Sequence, residues 1–285
     1  MPFNLQTFKT RTLTAIVFVI VMLAGLFINF YSFLFLFSII HFGCWLEYQK
    51  LVSIIDPNYK KISLLHKFGF ILLGWSLMLC ASGSASLASA VNIASIGWWM
   101  LITLIIIVPA IDLIHLQQYT FKNLVYSFAG LLYISMSWAL MIHLRSRHLP
   151  PDNYDLTIPL VLIASIWIND TMAYIVGSLI GKTPLSPISP KKTREGTVGG
   201  ALLAIVVITL IGHFAFGLPV VHLVIISAIA TIMGTIGDLI ESKLKRMAGV
   251  KDSGEIMPGH GGFLDRFDSL LLAIPFVWLY VYFAV

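Results

Sequence analysis

Long apolar stretches follow one another along almost the whole chain and are separated by short polar segments. The hydrocarbon core of a bilayer is about 30 Å thick, so a spanning helix needs about 20 mostly apolar residues. Nine stretches approach that length, and a helix satisfies its own backbone groups in lipid. We therefore predict an all-α integral membrane protein with about nine transmembrane helices in one bundle. The predicted spans are residues 13–30, 32–51, 65–81, 96–116, 124–143, 158–181, 198–216, 220–239 and 267–285.

The connection at residues 82–95 leaves the number of spans open. It is rich in serine and alanine and carries no charge. Such a segment fits either a loop or another short buried helix, so an even number of spans is the alternative.

The lysines and arginines favour nine spans with a cytoplasmic N-terminus. In that arrangement all of them lie on the cytoplasmic side except Arg145 and Arg147. Cytoplasmic loops carry the excess of basic residues, and a missing span would scramble this sorting. Topology thus accounts for the net charge of +5, and we expect no nucleic-acid partner.

The composition excludes an ordinary soluble domain, because 58% of the residues are hydrophobic and only 11% are charged. Cys44 and Cys80 lie in apolar stretches without the spacing of a zinc site, so we expect ordinary thiols. The first apolar run is followed by no small-x-small cleavage site, and we expect it to be retained as a span. The cell's inner membrane is the predicted location.

Residues 1–285 are predicted to form a single polytopic membrane domain, because the sequence shows no internal repeat or low-complexity tract. Two predicted cytoplasmic loops, residues 182–197 and 241–266, are long and polar and hold or border most of the acids. We therefore expect a catalytic region at residues 158–285, with its chemistry on the cytoplasmic face.

A polar stripe ends the eighth predicted span. Asp238, Glu241, Ser242 and Lys245 are spaced so that they share one helix face. Ionisable residues in a membrane span usually face a polar cavity or a bound ion. The alternative is a stripe that faces the cytosol where the helix leaves the bilayer.

Asp265 and Asp268 open the last span three residues apart, so both carboxylates can meet Asp238 from the neighbouring helix. Three oxygen donors of this kind suit Mg²⁺, which also keeps waters and takes substrate phosphates. The alternative is that the two aspartates cap the helix N-terminus, where the helix dipole favours acids.

The segment before Asp265 is rich in glycine, with Gly261 and Gly262 directly after His260. Backbone N–H groups in such a segment can approach an anion closely. Basic residues around it can bind a polyphosphate, although the positive-inside rule alone predicts several of them. These basic residues are Lys243, Lys245, Arg246, Lys251 and Arg266.

A second candidate anion site precedes the seventh predicted span. Hydroxyl, ammonium and helix N-terminal amide groups can together hold a triphosphate, and the P-loop order GxxxxGK[ST] is absent. A solvated charged face is the alternative. The residues of this candidate anion site are Ser189, Lys191, Lys192 and Thr193.

Asp170 lies further upstream and is an intramembrane acid. We expect it to pair with one of the lysines of the candidate anion site.

The N-terminal half contains three further polar residues in or next to predicted spans, Glu47, Asp112 and His115. They either line a lipid cavity or mark helix ends at the membrane interface.

Residues 242–268 resemble the signature of the phosphatidate cytidylyltransferases, also called CDP-diacylglycerol synthases. Residues 169–174 and 189–200 are also similar to that family, whereas before residue 158 the likeness is one of composition and length. The matching signature residues are Ser242-Lys243-Leu244-Lys245-Arg246, Lys251-Asp252-Ser253-Gly254 and Pro258-Gly259-His260-Gly261-Gly262-Phe263-Leu264-Asp265-Arg266-Phe267-Asp268.

The resemblance implies a helical bundle that catalyses CTP + phosphatidic acid → CDP-diacylglycerol + pyrophosphate. It implies Mg²⁺ held by Asp238, Asp265 and Asp268, a second cation such as K⁺, and a homodimer. We expect Lys245 and Arg246 to join these aspartates in catalysis. The expected substrate-binding residues are Asp170, Ser189, Lys191, Lys192, Thr193, Ser242, Lys251, His260, Gly261, Gly262 and Arg266.

Two other functions fit parts of the pattern. A secondary transporter also has intramembrane acids, but it predicts polar residues near mid-span and symmetric halves. A CTP-dependent lipid kinase would transfer the γ-phosphate and release CDP. Analysis of the products separates the two enzymes.

Overall fold

The computed structural model describes residues 5–83, 85–87, 91–114, 120–146, 154–255 and 261–285. Helices dominate these residues, and two small hairpins interrupt them. The elements are α1 Leu5–Phe27, α2 Phe30–Ile55, α3 Pro57–Lys60, α4 Leu64–Cys80, β1 Ser86–Leu87, β2 Val91–Asn92, α5 Ile93–Ile114, α6 Phe121–Gly130, a π-helical turn Leu131–Ser135, α7 Met136–Ser146, α8 Tyr154–Ile180, β3 Pro184–Ser186, β4 Ser189–Thr193, α9 Arg194–Phe216, α10 Val220–Met247 and α11 Leu264–Ala284.

A helix lies at each of the nine predicted stretches, which confirms an all-α multi-pass membrane protein. Among the described residues, seven helices are long and apolar enough to cross a membrane, and Ile16–Phe27 and Leu64–Cys80 are shorter apolar helices. The crossing of all nine helices and the cytoplasmic N-terminus stay predictions. The seven candidate spans are Phe30–Ile55, Ile93–Leu113, Phe121–Ser146, Leu156–Ile180, Arg194–Phe216, Val220–Met247 and Leu264–Ala284.

Helix ends differ from the predicted ones where polar residues stop or prolong a helix. The first helix ends at Phe27 and α2 begins at Phe30 because Asn29 and Ser32 form a reciprocal cap. Ser32 N donates to Asn29 Oδ1 at 2.9 Å, and Asn29 N donates to Ser32 Oγ at 3.0 Å. Beyond its apolar part, α10 continues to Met247, because its polar C-terminal residues are themselves good helix formers.

The connection at residues 82–95 forms a turn and a small hairpin. In it, β1 pairs antiparallel with β2, and α5 begins at Ile93. Residues 84 and 88–90 lie outside the described part, and the residues described between Ala81 and Asn92 contain no helix. A second antiparallel hairpin, β3 with β4, was not predicted and lies in the polar segment before α9.

Packing divides the chain into two compact units, Met1–Ile142 with Ala248–Arg266, and His143–Met247 with Phe267–Val285. One boundary between them falls within α11, after Arg266. A single membrane domain built from both units stays a prediction.

The first unit is built around α2, which is buried over 61% of its most apolar stretch, whereas α5 is buried over only 17% of its own. Several polar side chains that are buried in this unit form hydrogen bonds, which offset the cost of removing them from water. Trp45 Nε1 donates to Ser135 Oγ at 2.8 Å. His66 Nδ1 donates to Asp112 Oδ2 at 2.8 Å, and Asp112 also borders an apolar cavity of about 600 Å³. His115 lies outside the described residues.

The second unit packs α8, α9 and α10 against one another through small residues. A Cβ atom at Gly200 would lie 2.7 Å from the backbone nitrogen of Ala173, and one at Gly196 would lie 2.6 Å from the carbonyl oxygen of Ala173. Glycine at these positions allows α9 to approach α8 closely, as small residues do between membrane helices.

Candidate active site

A cavity of about 550 Å³ in the second unit is lined by α8, β4, α9 and α10. The cavity brings together Asp170 of α8, the candidate anion site before α9 and Asp238 of α10. The lining includes Asp170, Lys191, Lys192, Thr193, Thr235 and Asp238.

Lys192 forms an ion pair with Asp238 in this cavity. Its Nζ lies 2.9 Å from Asp238 Oδ2, and the two side chains are 35% and 22% exposed. Burial disfavours the ammonium form, but attraction to Asp238, Asp170 and Asp268 outweighs burial and raises the pKa of Lys192 above its ordinary value. Lys192 therefore carries its full positive charge at neutral pH. We expected Asp170 to have a lysine partner, and Lys192 attracts it, but the close ion pair is with Asp238.

The N-terminus of α9 orders the polar segment that carries Lys192. Thr193 caps this helix, with its Oγ1 accepting from Gly196 N at 3.1 Å. Arg194 N donates to Thr183 O at 2.8 Å, and Glu195 Oε2 accepts from the backbone N of Lys182 and of Thr183, each at 3.2 Å. These bonds hold the β3–β4 hairpin against the start of α9.

The predicted polar stripe on α10 faces the protein interior at Glu241. This side chain is fully buried, and its Oε2 lies 2.5 Å from Lys245 Nζ. A stripe turned wholly towards the cytosol would leave Glu241 exposed. The burial therefore disfavours that alternative.

Asp268 is buried in the second unit and interacts electrostatically with Asp238, Glu241 and Lys192. A Cβ atom at Gly237 would lie 2.6 Å from the carbonyl oxygen of Asp268. The glycine thus permits α10 to approach α11 at the level of these acids, and three carboxylates share the influence of two ammonium groups.

The described residues contain no group of three or more acidic, histidine or cysteine side chains that could hold a metal ion as they stand. Asp238 and Asp268 nevertheless supply hard oxygen donors in one part of the second unit. Mg²⁺ is usually bound by one or two carboxylates together with water and substrate phosphates. The donor chemistry therefore suits Mg²⁺ that arrives with a polyphosphate, and the three-aspartate site with Asp265 stays a prediction.

In the first unit, Asp265 stabilises the part of the signature that lies there, which we call the signature segment and which is described at residues 248–255 and 261–266. Its Oδ2 accepts from Ser253 N at 2.9 Å and from Gly262 N at 2.8 Å, and it lies 2.9 Å from Ser253 Oγ. Gly261 has a φ of 81°, a left-handed conformation that favours glycine. Gly261 and Gly262 thus shape the turn into α11, and anion binding by their N–H groups stays a prediction.

Glu47 on α2 is the residue whose role the sequence analysis missed. It is 6% exposed and accepts hydrogen bonds from Ser253 Oγ, Phe263 N and Leu264 N at 2.6, 2.9 and 2.8 Å. It therefore binds the signature segment, whereas we expected it to line a lipid cavity or mark an interface. An acid inside an apolar run was the available signal.

The other predicted site residues take simple places in these elements. Ser189 and Lys191 lie in β4, Ser242 and Arg246 in the last two turns of α10, and Arg266 in the first turn of α11. Arg246, Lys251 and Arg266 are exposed. His260 lies outside the described residues, so its predicted contact with substrate stays untested.

The sequence model of the Cytidylyltransferase family matches residues 9–284. The chain belongs to this family. The match confirms the resemblance found at residues 242–268 and extends it through the N-terminal half, where composition and length had been its only support.

Similar proteins include three named phosphatidate cytidylyltransferase. The one from Bacillus subtilis strain 168 is 37% identical over 224 residues, which cover 77% of this chain and 79% of that protein. The one from Staphylococcus saprophyticus is 34% identical over 275 residues, covering 94% and 96%. The one from Staphylococcus haemolyticus is 32% identical over 269 residues, with the same coverage.

Proposed function

We propose that this member of the cytidylyltransferase family transfers CMP from CTP to phosphatidic acid and releases pyrophosphate. The observation that carries the proposal is the Lys192–Asp238 ion pair in a cavity of about 550 Å³ within a membrane protein. That cavity offers cations for phosphates and acids for a metal, and similar proteins of nearly the same length are named phosphatidate cytidylyltransferase.

The proposed reaction places few demands on acid–base groups. A phosphate oxygen of phosphatidic acid attacks the α-phosphorus of CTP, and the bond to the leaving pyrophosphate breaks in line. The second pKa of a phosphate monoester is about 6, so the attacking group is already ionised near neutral pH. The site therefore needs charge stabilisation and positioning, which lysines and hydroxyls supply.

The segment before α9 is assigned to the phosphates of CTP, through Ser189, Lys191, Lys192 and Thr193. The end of α10 and the signature residues that follow it are proposed to contact phosphates as well, through Ser242, Lys245, Arg246, Lys251, His260, Gly261, Gly262 and Arg266. The raised pKa of Lys192 supports its role, because a permanently charged ammonium neutralises a polyphosphate without depending on pH.

Asp238 and Asp268 would hold Mg²⁺, with Asp265 as the third ligand implied by the family. Bound Mg²⁺ neutralises the charge that develops on the leaving pyrophosphate. Lys192, which contacts Asp238 in the cavity, would supply a positive charge for a phosphate oxygen beside that metal. A second cation such as K⁺ and a homodimer are parts of the same proposal.

The site is proposed to lie on the cytoplasmic face of the inner membrane, because CTP is available in the cytoplasm. The sorting of the basic residues supports this orientation. Phosphatidic acid would reach the same site laterally, from the leaflet in which it lies.

The decisive experiment compares two labels of CTP in detergent-purified protein. Label in the α-phosphate should enter the lipid only when phosphatidic acid and Mg²⁺ are both present, with pyrophosphate released in equal amount. Asp238→Asn should abolish the transfer, whereas Lys61→Gln, which changes an exposed lysine on another segment, should not.

Transfer of a γ-phosphate label into lipid would instead identify a kinase. Failure of folded protein to consume CTP with any lipid acceptor would overturn the enzymatic proposal and return the transporter alternative.

A further inference from the structure

Glu47 joins α2 to the signature segment within the first unit. Its Oε1 accepts from Phe263 N at 2.9 Å, and its Oε2 accepts from Leu264 N at 2.8 Å and from Ser253 Oγ at 2.6 Å. Both oxygens act as acceptors, as those of an ionised carboxylate do. One side chain thus binds both described stretches of this segment, the first at Ser253 and the second at Phe263 and Leu264.

These partners explain why an acid is tolerated inside an apolar helix. Burying a carboxylate is costly unless hydrogen bonds satisfy it. Phe263 N and Leu264 N are among the N–H groups at the start of α11 that have no acceptor within the helix, and the helix dipole favours a negative charge there. Glu47 supplies that charge from a different helix.

The Glu47 carboxylate packs against two glycines of the signature, at positions where a larger residue would not fit. A Cβ atom at Gly254 or at Gly262 would collide with the carboxylate of Glu47. One turn earlier on the same face of α2, a Cβ atom at Gly43 would collide with the ring of Phe263. The surface of α2 and the signature segment therefore fit each other closely.

Ser253 transmits this anchoring to Asp265. Its hydroxyl lies between the two carboxylates, 2.6 Å from Glu47 Oε2 and 2.9 Å from Asp265 Oδ2. Its backbone N–H also donates to Asp265 Oδ2 at 2.9 Å. A shift of Glu47 would thus move Ser253, Asp265 and the first turn of α11, which carries Arg266.

The geometry points to Glu47 as a positioning residue for the nucleotidyl transfer. This inference rests on the proposed function: Glu47 holds Lys251, Asp265 and Arg266 where they would bind metal and phosphates. Its own carboxylate oxygens accept from Ser253, Phe263 and Leu264. Its role is exerted through the backbone and through Ser253.

Glu47→Gln is the test variant, because it removes the charge at nearly constant volume. An amide keeps one acceptor oxygen, and its NH₂ group would face either Phe263 N–H or Leu264 N–H. Gln49→Ala is the matched control. Gln49 is 7% exposed on the same helix, and its Nε2 donates to Lys67 O at 3.0 Å, away from the signature segment.

We expect Glu47→Gln to lower kcat/KM for CTP on the order of 100-fold, with a rise in KM of about fivefold or more. A variant that only folds less well loses kcat and keeps its KM. Gln49→Ala should keep the KM of the parent. Glu47→Gln with an unchanged KM, or with activity within about twofold of the parent, would overturn the proposal.

Limited trypsin digestion tests the anchoring without any assay of activity. Cleavage after Lys251 should accelerate in Glu47→Gln, relative to cleavage after Lys61 in the same sample, because both lysines are exposed and only the first lies in the anchored segment. Equal rates at Lys251 in parent and variant would contradict the anchoring. This readout stands even if the parent makes no CDP-diacylglycerol, which separates failure of this inference from failure of the proposed function.

Ser253→Ala tests the link between Glu47 and Asp265 without changing α2. If Glu47 acts through Ser253, the double variant should lose less activity than the product of the two single losses. Multiplication of the two losses would show independent roles and would overturn the link to Asp265.

Discussion

Charge compensation among single residues organises the second unit. Lys192 contacts Asp238 directly and attracts Asp170 and Asp268. Lys245 does the same for the buried Glu241. Acids at this density repel one another, so each lysine permits carboxylates to remain together where a cation or a phosphate-bound metal can join them.

Lys192→Gln should lower kcat/KM for CTP by roughly 100-fold or more, because it removes the cation that we propose binds the substrate phosphates. Lys192→Arg keeps the charge and should retain part of the activity. Transfer of α-label from CTP to phosphatidic acid measures both, with Lys61→Gln as the control. Equal activity of the parent and Lys192→Gln would exclude Lys192 from the site.

The pKa of Lys192 adds a pH dependence to this prediction. A raised pKa in the folded protein means that the ion pair contributes stability below the ordinary lysine value of about 10.4 and loses it as pH rises through the higher folded value. The difference in thermal midpoint between the parent and Lys192→Gln should therefore stay constant from about pH 7 to pH 9. A difference that shrinks within that range would contradict a raised pKa.

At the level of elements, helix ends depend on a few capping side chains and helix contacts depend on glycine. The cap of α2 by Asn29 separates it from α1, where an uninterrupted apolar pattern would have allowed a longer first helix. Gly200 and Gly237 let helices approach at the places where polar residues gather. Small local features thus decide where the long apolar helices bring their polar ends.

Asn29→Ala should reduce stability by about 1 kcal/mol while leaving CTP turnover unchanged, because it removes a side-chain cap distant in sequence from the signature. Thermal unfolding in detergent measures the effect. Thr120→Ala is the matched control, since Thr120 precedes α6 without a side-chain capping bond. A destabilisation of the same size in both variants would argue against the capping bond as the cause.

For the whole molecule, membrane topology links the fold to the proposed reaction. The family match runs from residue 9 to residue 284 and so includes both compact units. If all nine apolar helices span the bilayer, the polar segments at 182–197 and 241–266 both lie on the cytoplasmic side of the membrane.

Tags at the two termini test that topology. In right-side-out membrane vesicles, a C-terminal tag should be removed by added protease and an N-terminal tag should be protected. Disruption of the vesicles should expose both tags and serves as the control. Termini on the same side would require an even number of spans and would refute the nine-span arrangement.

Much of the fold and of the site follows from local sequence. Each apolar stretch became a helix because a segment in lipid must satisfy its own backbone, so length and hydropathy are sufficient to locate it. The hairpin at β3–β4 was not predicted because no alternation of apolar and polar residues marks its strands. Its hydrogen bonds to the start of α9, through Arg194 N and Glu195, are visible only in the folded chain.

By itself, the sequence determined the class of protein, the positions of its helices and, through residues 242–268, its family. Only the tertiary structure decided that Lys192 pairs with Asp238 and that Glu47 binds Ser253, a residue 206 positions away. The physical reason is that periodicity reports which face of a helix is apolar, whereas partners distant in sequence meet through the packing of whole helices. The need for glycine at positions 254 and 262 likewise becomes clear only in the folded chain, because the Glu47 carboxylate fills the space that a side chain would need.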